Sequence, residues 1–252
     1  MLFRSLLILC GFLIGFILIF LGMGAALYIG CLITIFHLSA KMAAASALVV
    51  TLPALIIGTL INHRTHTIDY HCGNFLLKWA LLGTIGGSLI VPFTNHDLYQ
   101  LIISVILIIL ASTILWNSIS HSRKKKSSKL TAKYFPPFAS IISDVMVGLA
   151  GMSGGGPLVA GMLLLDAPVA QAAATSSYIR IWTTLLGVGL HWHTMTIAWH
   201  PVFFMALGTA LGAACAPLMM RLIGQRNRNF ISRVMKPLIA IILLYMGIKP
   251  FI

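Results

Sequence analysis

Long apolar runs separated by short polar interruptions set the elements of this chain. The runs cover residues 5–36, 42–61, 72–93, 98–118, 135–165, 167–190, 197–222 and 230–248, each close to or above the ~20 helical residues that cross about 30 Å of hydrocarbon. Strands of a membrane barrel would alternate apolar and polar side chains over ~10-residue segments, which these runs do not. Backbone groups inside lipid need internal hydrogen bonds, so the pattern predicts an all-α polytopic membrane protein with about eight hydrophobic segments. No small-residue cleavage signature follows the first run, which is therefore expected to remain in the folded protein rather than leave as a signal peptide.

Two runs are overlong and carry glycines in the middle. In the fifth, "GLAGMSGGGPLV" (148–159) sets Ser153 and Gly154-Gly155-Gly156 before Pro157. Glycine is the poorest ordinary helix former and proline lacks a backbone donor, so a helix is expected to break here and restart with Pro157 in its first turn. The first run holds Gly22 and Gly24 at the corresponding place.

The correspondence is an internal repeat. Shifting the sequence by 129 residues lays Gly22-Met23 on Gly151-Met152, Ala43 to Ala45 on Ala172 to Ala174, and Thr65, Thr67, Ile68 and His71 on Thr194, Thr196, Ile197 and His200. The chain thus divides into a first membrane repeat (5–118), a basic loop (119–134) and a second membrane repeat (135–250). Equivalent loops differ in charge: "TNHD" (94–97) has no Lys or Arg, whereas Arg221, Arg226, Arg228 and Arg233 surround its counterpart. With basic loops cytoplasmic, the two repeats are expected to be inverted. The parity works only if 135–165, and by analogy 5–36, is a hairpin or re-entrant element, the organisation of many secondary transporters.

Composition agrees with a membrane protein: 59% of the 252 residues are hydrophobic and 8% charged, with a mean hydropathy of +1.00. The net charge of +13, densest in "HSRKKKSSK" (121–129), reports a cytoplasmic loop beside anionic lipid rather than nucleic-acid binding. Cys10, Cys31, Cys72 and Cys215 lack metal or disulfide spacing and read as ordinary packing. Lipid and a small anion are the expected partners, no cofactor or metal is expected, and a homodimer stays open.

"GLAGMSGGGPLVAGMLLL" followed by "APVAQAAATSS" resembles the glycine-rich motif, apolar run and downstream Ala-x-x-Thr-Ser of the TauE/SafE family of sulfite-exporter-like membrane proteins. The resemblance runs end to end. The first half departs from it, with "GMGAALYIG" for the glycine string and "AASAL" for "AATSS". It implies movement of small sulfur-containing anions, often outward, across the bacterial inner membrane.

The residues offer a site for such an anion. Amides freed at Gly154, Gly155 and Gly156 can cradle negative charge at a half-helix N-terminus, with hydroxyls from Ser153, Thr175 and Ser176 and the charge of Arg180, which lies ~18 Å into its run. Gly22, Gly24 and Ser46 are the first-half counterparts. Asp144 is the one acid expected inside the membrane, a candidate for proton coupling or for an Arg180 counter-ion. Each has a plainer reading: glycines pack helices closely, and Ser or Thr hydroxyls bond their own helix. Asp166 and Ser39 are expected as helix caps. His191, His193, His63 and His66 have spacings that metal ligands use, but they adjoin interfacial aromatics, and no bound metal is expected. Gly151-Met152-Ser153-Gly154 also spells the G-x-S-G of rhomboid-type intramembrane proteases, yet no histidine base lies in the middle of a predicted span. The expectation is a secondary transporter that is not an enzyme, with a channel-like facilitator or such a protease as alternatives.

Overall fold

A computed structural model of the chain describes residues 2–21, 25–119, 129–151, 155–165, 167–192, 196–222 and 225–249. Among them are ten α-helices: α1 (Leu2–Leu21), α2 (Ala25–Thr34), α3 (Ala40–Arg64), α4 (Tyr70–Ile90), α5 (His96–Ile119), α6 (Lys129–Ala150), α7 (Gly155–Leu164), α8 (Val169–His191), α9 (Trp199–Leu222) and α10 (Gln225–Ile248), with no strand. Ten helices replace eight apolar segments because both overlong runs split, one between Leu21 and Ala25, the other between Ala150 and Gly155. The second break begins at Gly151, left-handed at φ 62°, whose amide closes α6 by donating to the Val147 carbonyl at 2.9 Å. Only glycine takes that conformation without strain, as helix C-termini commonly use it. The helix bounds of the first five elements, raised by 129, match those of the last five to within three residues.

Local chemistry explains the other ends. Ser39 caps α3, accepting from the Met42 amide at 3.4 Å, and Asp69 caps α4, accepting from the Cys72 amide at 3.0 Å, so one orphan donor at each helix start is used. Asp166 lies outside the described residues, and Pro168 holds the cap position of α8. By length and composition, Ala40–Arg64, Tyr70–Phe93, His96–Leu115 and Trp199–Ala216 suit a membrane crossing.

The short helices fold back on their predecessors. The side chains of Cys10 on α1 and Cys31 on α2 meet at hydrogen-bonding range, although 21 residues of continuous helix would hold them ~31 Å apart. In the second half, a methyl on Gly161 of α7 would lie 3.3 Å from Ala139 Cβ on α6, where a continuous helix would put ~33 Å between them. Two of the cysteines therefore do more than pack separately: they join the arms of a hairpin.

Each half's first helix then packs on the other half's fourth. α1 runs along α9 and α6 along α4, at glycines whose missing side chains let backbones touch. A methyl on Gly11 or Gly15 would strike the carbonyls of Met205 and Thr209, and one on Gly83 or Gly87 those of Ile141 and Val145, the small-residue packing that membrane helices favour. α3 and α8 form the centre. Leu48, near the start of α3, touches Gly187, near the end of α8, so these equivalent helices run antiparallel. The outermost pair, α5 and α10, also pack together.

Candidate functional site

Arg180, midway along α8, is the largest fully buried side chain described, at 1% exposure, and Asp144 of α6 is 0% exposed. The two interact electrostatically. Burying two charges is costly unless each compensates the other, and that compensation is what lets α6 and α8 carry them here.

Around the pair, hydroxyls converge from the same two helices and from others. Ser143 and Thr183, both fully buried, lie beside the Asp144 carboxyl. Both act on it as hydrogen-bonding neighbours, and the Thr183 hydroxyl also lies 3.4 Å from the Arg180 carbonyl. On the other side stands Tyr28, in the first turn of α2, which feels the charge of Arg180. It is wholly buried, and its hydroxyl donates to Thr209 Oγ1 of α9 at 3.0 Å, while Thr209 donates to the Met205 carbonyl at 2.8 Å. One cluster therefore draws on α2, α6, α8 and α9, two elements flanking the breaks and two from the helices behind them.

The glycine-rich break lies at the end of the same α6. Gly155 opens α7 and is buried, with Gly156 and Pro157 following in its first turn, so the amides at this half-helix start have no intrahelical partner. Ser153 and Gly154 lie outside the described residues, as do Gly22 and Gly24. Gly151 packs against Ala44 and Leu48 of α3, which seats the break on the opposite half. His191, the last residue of α8 beside Trp192, is buried against the protein: its Nε2 sits 2.7 Å from the Gly148 carbonyl.

The hydroxyls of the Ala-x-x-Thr-Ser segment divide by role. Thr175 Oγ1 accepts from the Asp69 amide at 2.9 Å, and Ser46 Oγ accepts from the Ala198 amide at 3.1 Å. Under the 129-residue shift Ser46 falls on Thr175 and Asp69 on Ala198, so the same bond is made twice, each joining one half to the residue just before the fourth helix of the other. Ser176 donates to the Ala173 carbonyl at 2.8 Å and Ser177 to the same carbonyl at 3.0 Å, the self-satisfied arrangement common in membrane helices. A serine has one O–H, so Ser176 must leave Ala173 before it can donate to an anion.

Sequence reasoning missed Tyr28, Ser143, Thr183 and Thr209. Tyr28 carried a signal: it is the aromatic hydroxyl four residues past Gly24, at the position equivalent to Pro157. The others are Ser and Thr in apolar runs, indistinguishable by pattern from residues that bond their own helix.

A charged cluster with hydroxyl neighbours, buried among long apolar helices, belongs to a multi-pass helical membrane protein. The family model described as sulfite exporter TauE/SafE matches residues 7–249, nearly the whole chain, and the protein belongs to that family. Its members are transporters and not enzymes, which sets aside the protease alternative, and they imply a small anionic substrate and a lipid environment. No curated protein and no solved structure matches the chain.

Proposed function

We propose that the protein is a secondary transporter that exports a small sulfur-containing or organic anion, such as sulfite or a sulfonate, across the bacterial cytoplasmic membrane. The observation that carries this reading is Arg180, a cation buried at mid-helix beside two helix breaks. Intramembrane charge on that scale is retained for solute binding or for a paired acid, and Arg180 has both at hand. Its guanidinium, the amides at the start of α7 around Gly155 and Gly156, and the Ser153 and Gly154 segment form the anion site, with Tyr28 facing Arg180 from the first half. Gly22, Gly24 and Ser46 contribute the weaker half of an asymmetric site. Thr175 contributes the hydrogen of its hydroxyl, whose oxygen is already held by Asp69.

The repeats are inverted. Each hairpin returns the chain to the side it came from, leaving α3, α4 and α5, or α8, α9 and α10, as an odd number of crossings. The antiparallel contact of Leu48 with Gly187 supports this, as do the opposite charges of the two equivalent loops. The Ser46–Ala198 and Thr175–Asp69 bonds then lie toward opposite faces. Alternating access breaks one while the other holds, as one repeat rocks against the other.

Asp144 couples the cycle to protons, since Arg180 next to it makes its charge state depend on whether an anion is bound. In proteoliposomes an imposed pH gradient should drive uphill sulfite flux, and Asp144→Asn should abolish the uphill component while leaving some downhill exchange. Flux that ignores the gradient in the unaltered protein would refute proton coupling, and would favour a channel-like facilitator.

A further inference from the structure

The two bonds that join the halves are equivalent by the repeat, but their surroundings are not. Thr175 and Tyr178, three residues apart on one face of α8, both meet the start of α4. Thr175 Oγ1 takes the Asp69 amide, while the Tyr178 ring lies edge-on to Tyr70 with centroids 5.2 Å apart and its hydroxyl donates to Asn74 Oδ1 at 2.9 Å. Gly73 makes room for both: a methyl there would lie 3.1 Å from Thr175 Cγ2 and 3.2 Å from Tyr178 Cδ1. Tyr70 is itself held by His63, whose Nδ1 is 2.7 Å from its hydroxyl. At the other bond, the 129-residue shift puts Val49 for Tyr178, Phe203 for Asn74 and Val202 for Gly73. The ring pair is preserved, since Trp192 and Trp199 stand 5.9 Å apart at 68° where His63 and Tyr70 stand 6.1 Å apart at 72°. It lies wholly within the second half, however, and Val49 offers neither ring nor hydroxyl to join it from the first. Arg4 covers the Phe204 ring at 5.2 Å, but along the α1–α9 contact and not from α3.

Resting on the alternating-access reading above, we infer that Tyr178 is a positioning residue that makes the two gates unequal: it holds the Thr175–Asp69 gate shut more firmly, so that the Ser46–Ala198 gate opens first when no anion is bound. The course of α3 says which face each gate serves. Lys41, at the start of α3, donates to the Thr94 carbonyl at 2.6 Å, beside the loop that carries no Lys or Arg, and Ser46 lies near the same end. The favoured opening is therefore outward, and the gate that Tyr178 secures is the cytoplasmic one. Both inter-half bonds are made in this structure, so the bias comes from the two added contacts of Tyr178. An edge-to-face ring pair alone shifts a two-state balance about two- to tenfold, enough to decide which conformer prevails between substrates.

Spin labels at equivalent positions can read the two gates by pulsed dipolar spectroscopy on the full-length, otherwise cysteine-free protein in lipid nanodiscs. Labels in place of His71 and Gln171 span the cytoplasmic gate, and labels in place of His200 and Met42, the residues equivalent to them, span the outer one. Without substrate, the long-distance fraction at the outer pair should exceed that at the cytoplasmic pair by at least about twofold. Tyr178→Val, which copies the other gate, should raise the cytoplasmic fraction severalfold and cancel the difference. Tyr178→Phe, which keeps the ring and loses the Asn74 bond, should fall between. A tyrosine that only stabilises the fold would lower the melting temperature and leave the ratio of the two fractions alone. Equal fractions in the unaltered protein, a larger cytoplasmic one, or a ratio that neither variant changes would overturn the inference. One fixed distance at both pairs, with and without sulfite, would instead sink the alternating-access reading on which it rests.

Discussion

Replacing Arg180 by methionine separates the charge from the volume of the side chain, and the structure sets how much should be lost. Arg180 and Asp144 are 1% and 0% exposed, so their electrostatic interaction runs through a buried interior, unlike that of surface pairs, whose net worth is about 0–1 kcal/mol. Removing one partner leaves the other charge buried and uncompensated, at a cost of about 3–5 kcal/mol. Asp144→Asn should cost a similar amount for the mirror reason. The double variant buries neither charge, and two well-packed neutral groups at such a site are often neutral or better. Stability measured by denaturant unfolding in mixed micelles should therefore fall in each single variant and recover in the double to within about 1 kcal/mol of the unaltered protein. Sulfite binding should be absent in both variants lacking Arg180, so recovered stability and lost binding would part company. Additive losses in the double variant, or an Arg180→Met cost under 1 kcal/mol, would refute the compensation between these two residues.

Three further outcomes follow from particular contacts. Gly15→Ala drives a methyl into the Thr209 carbonyl and should cost about 1–3 kcal/mol, whereas Gly86→Ala, with nothing within 4 Å of its added carbon, should be neutral or stabilising by up to about 1 kcal/mol; comparing their melting temperatures checks the α1–α9 interface. Mild oxidation with copper phenanthroline should link Cys10 to Cys31 and leave Cys72 and Cys215 reduced, as peptide mass spectrometry can show; no link would argue against the α1–α2 hairpin. Ser46→Ala and Thr175→Val each remove one bond between the halves, worth about 0.6–2 kcal/mol inside a membrane, and should expose cysteine probes on opposite faces of the protein. Exposure on the same face in both variants would contradict their placement at opposite gates.

Much of the architecture can be read from pattern because its causes are local. The splits at Leu21 to Ala25 and Ala150 to Gly155 fall where the glycines sit, and the 129-residue register found in Thr65, Thr67 and His71 recurs in the helix bounds. Ser39 caps α3 as its place before an apolar run implied. The site is less legible, because its contacts are tertiary. Loop parity and the central glycines pointed to a hairpin or re-entrant element at 5–36, but nothing in the spacing of Cys10 and Cys31 says that these two side chains meet across it, and nothing in the run around Thr209 says that Tyr28, 181 residues away in sequence, will bond to it. Thr175 and Ser46 drew attention as anion ligands on the strength of their hydroxyls. Their first partners are backbone amides of the opposite half, a demand set by the unsatisfied starts of α4 and α9 that composition does not display.

The central claim, carrier-type movement of a sulfur-containing anion through a site at Arg180, is tested most directly by counterflow. Proteoliposomes loaded with excess unlabelled sulfite and diluted into a trace of the labelled anion should show transient, saturable accumulation above equilibrium with the unaltered protein, and none with Arg180→Met. A passive pore cannot produce that overshoot. Labelled sulfite that merely equilibrates, or an overshoot unchanged by Arg180→Met, would contradict the account.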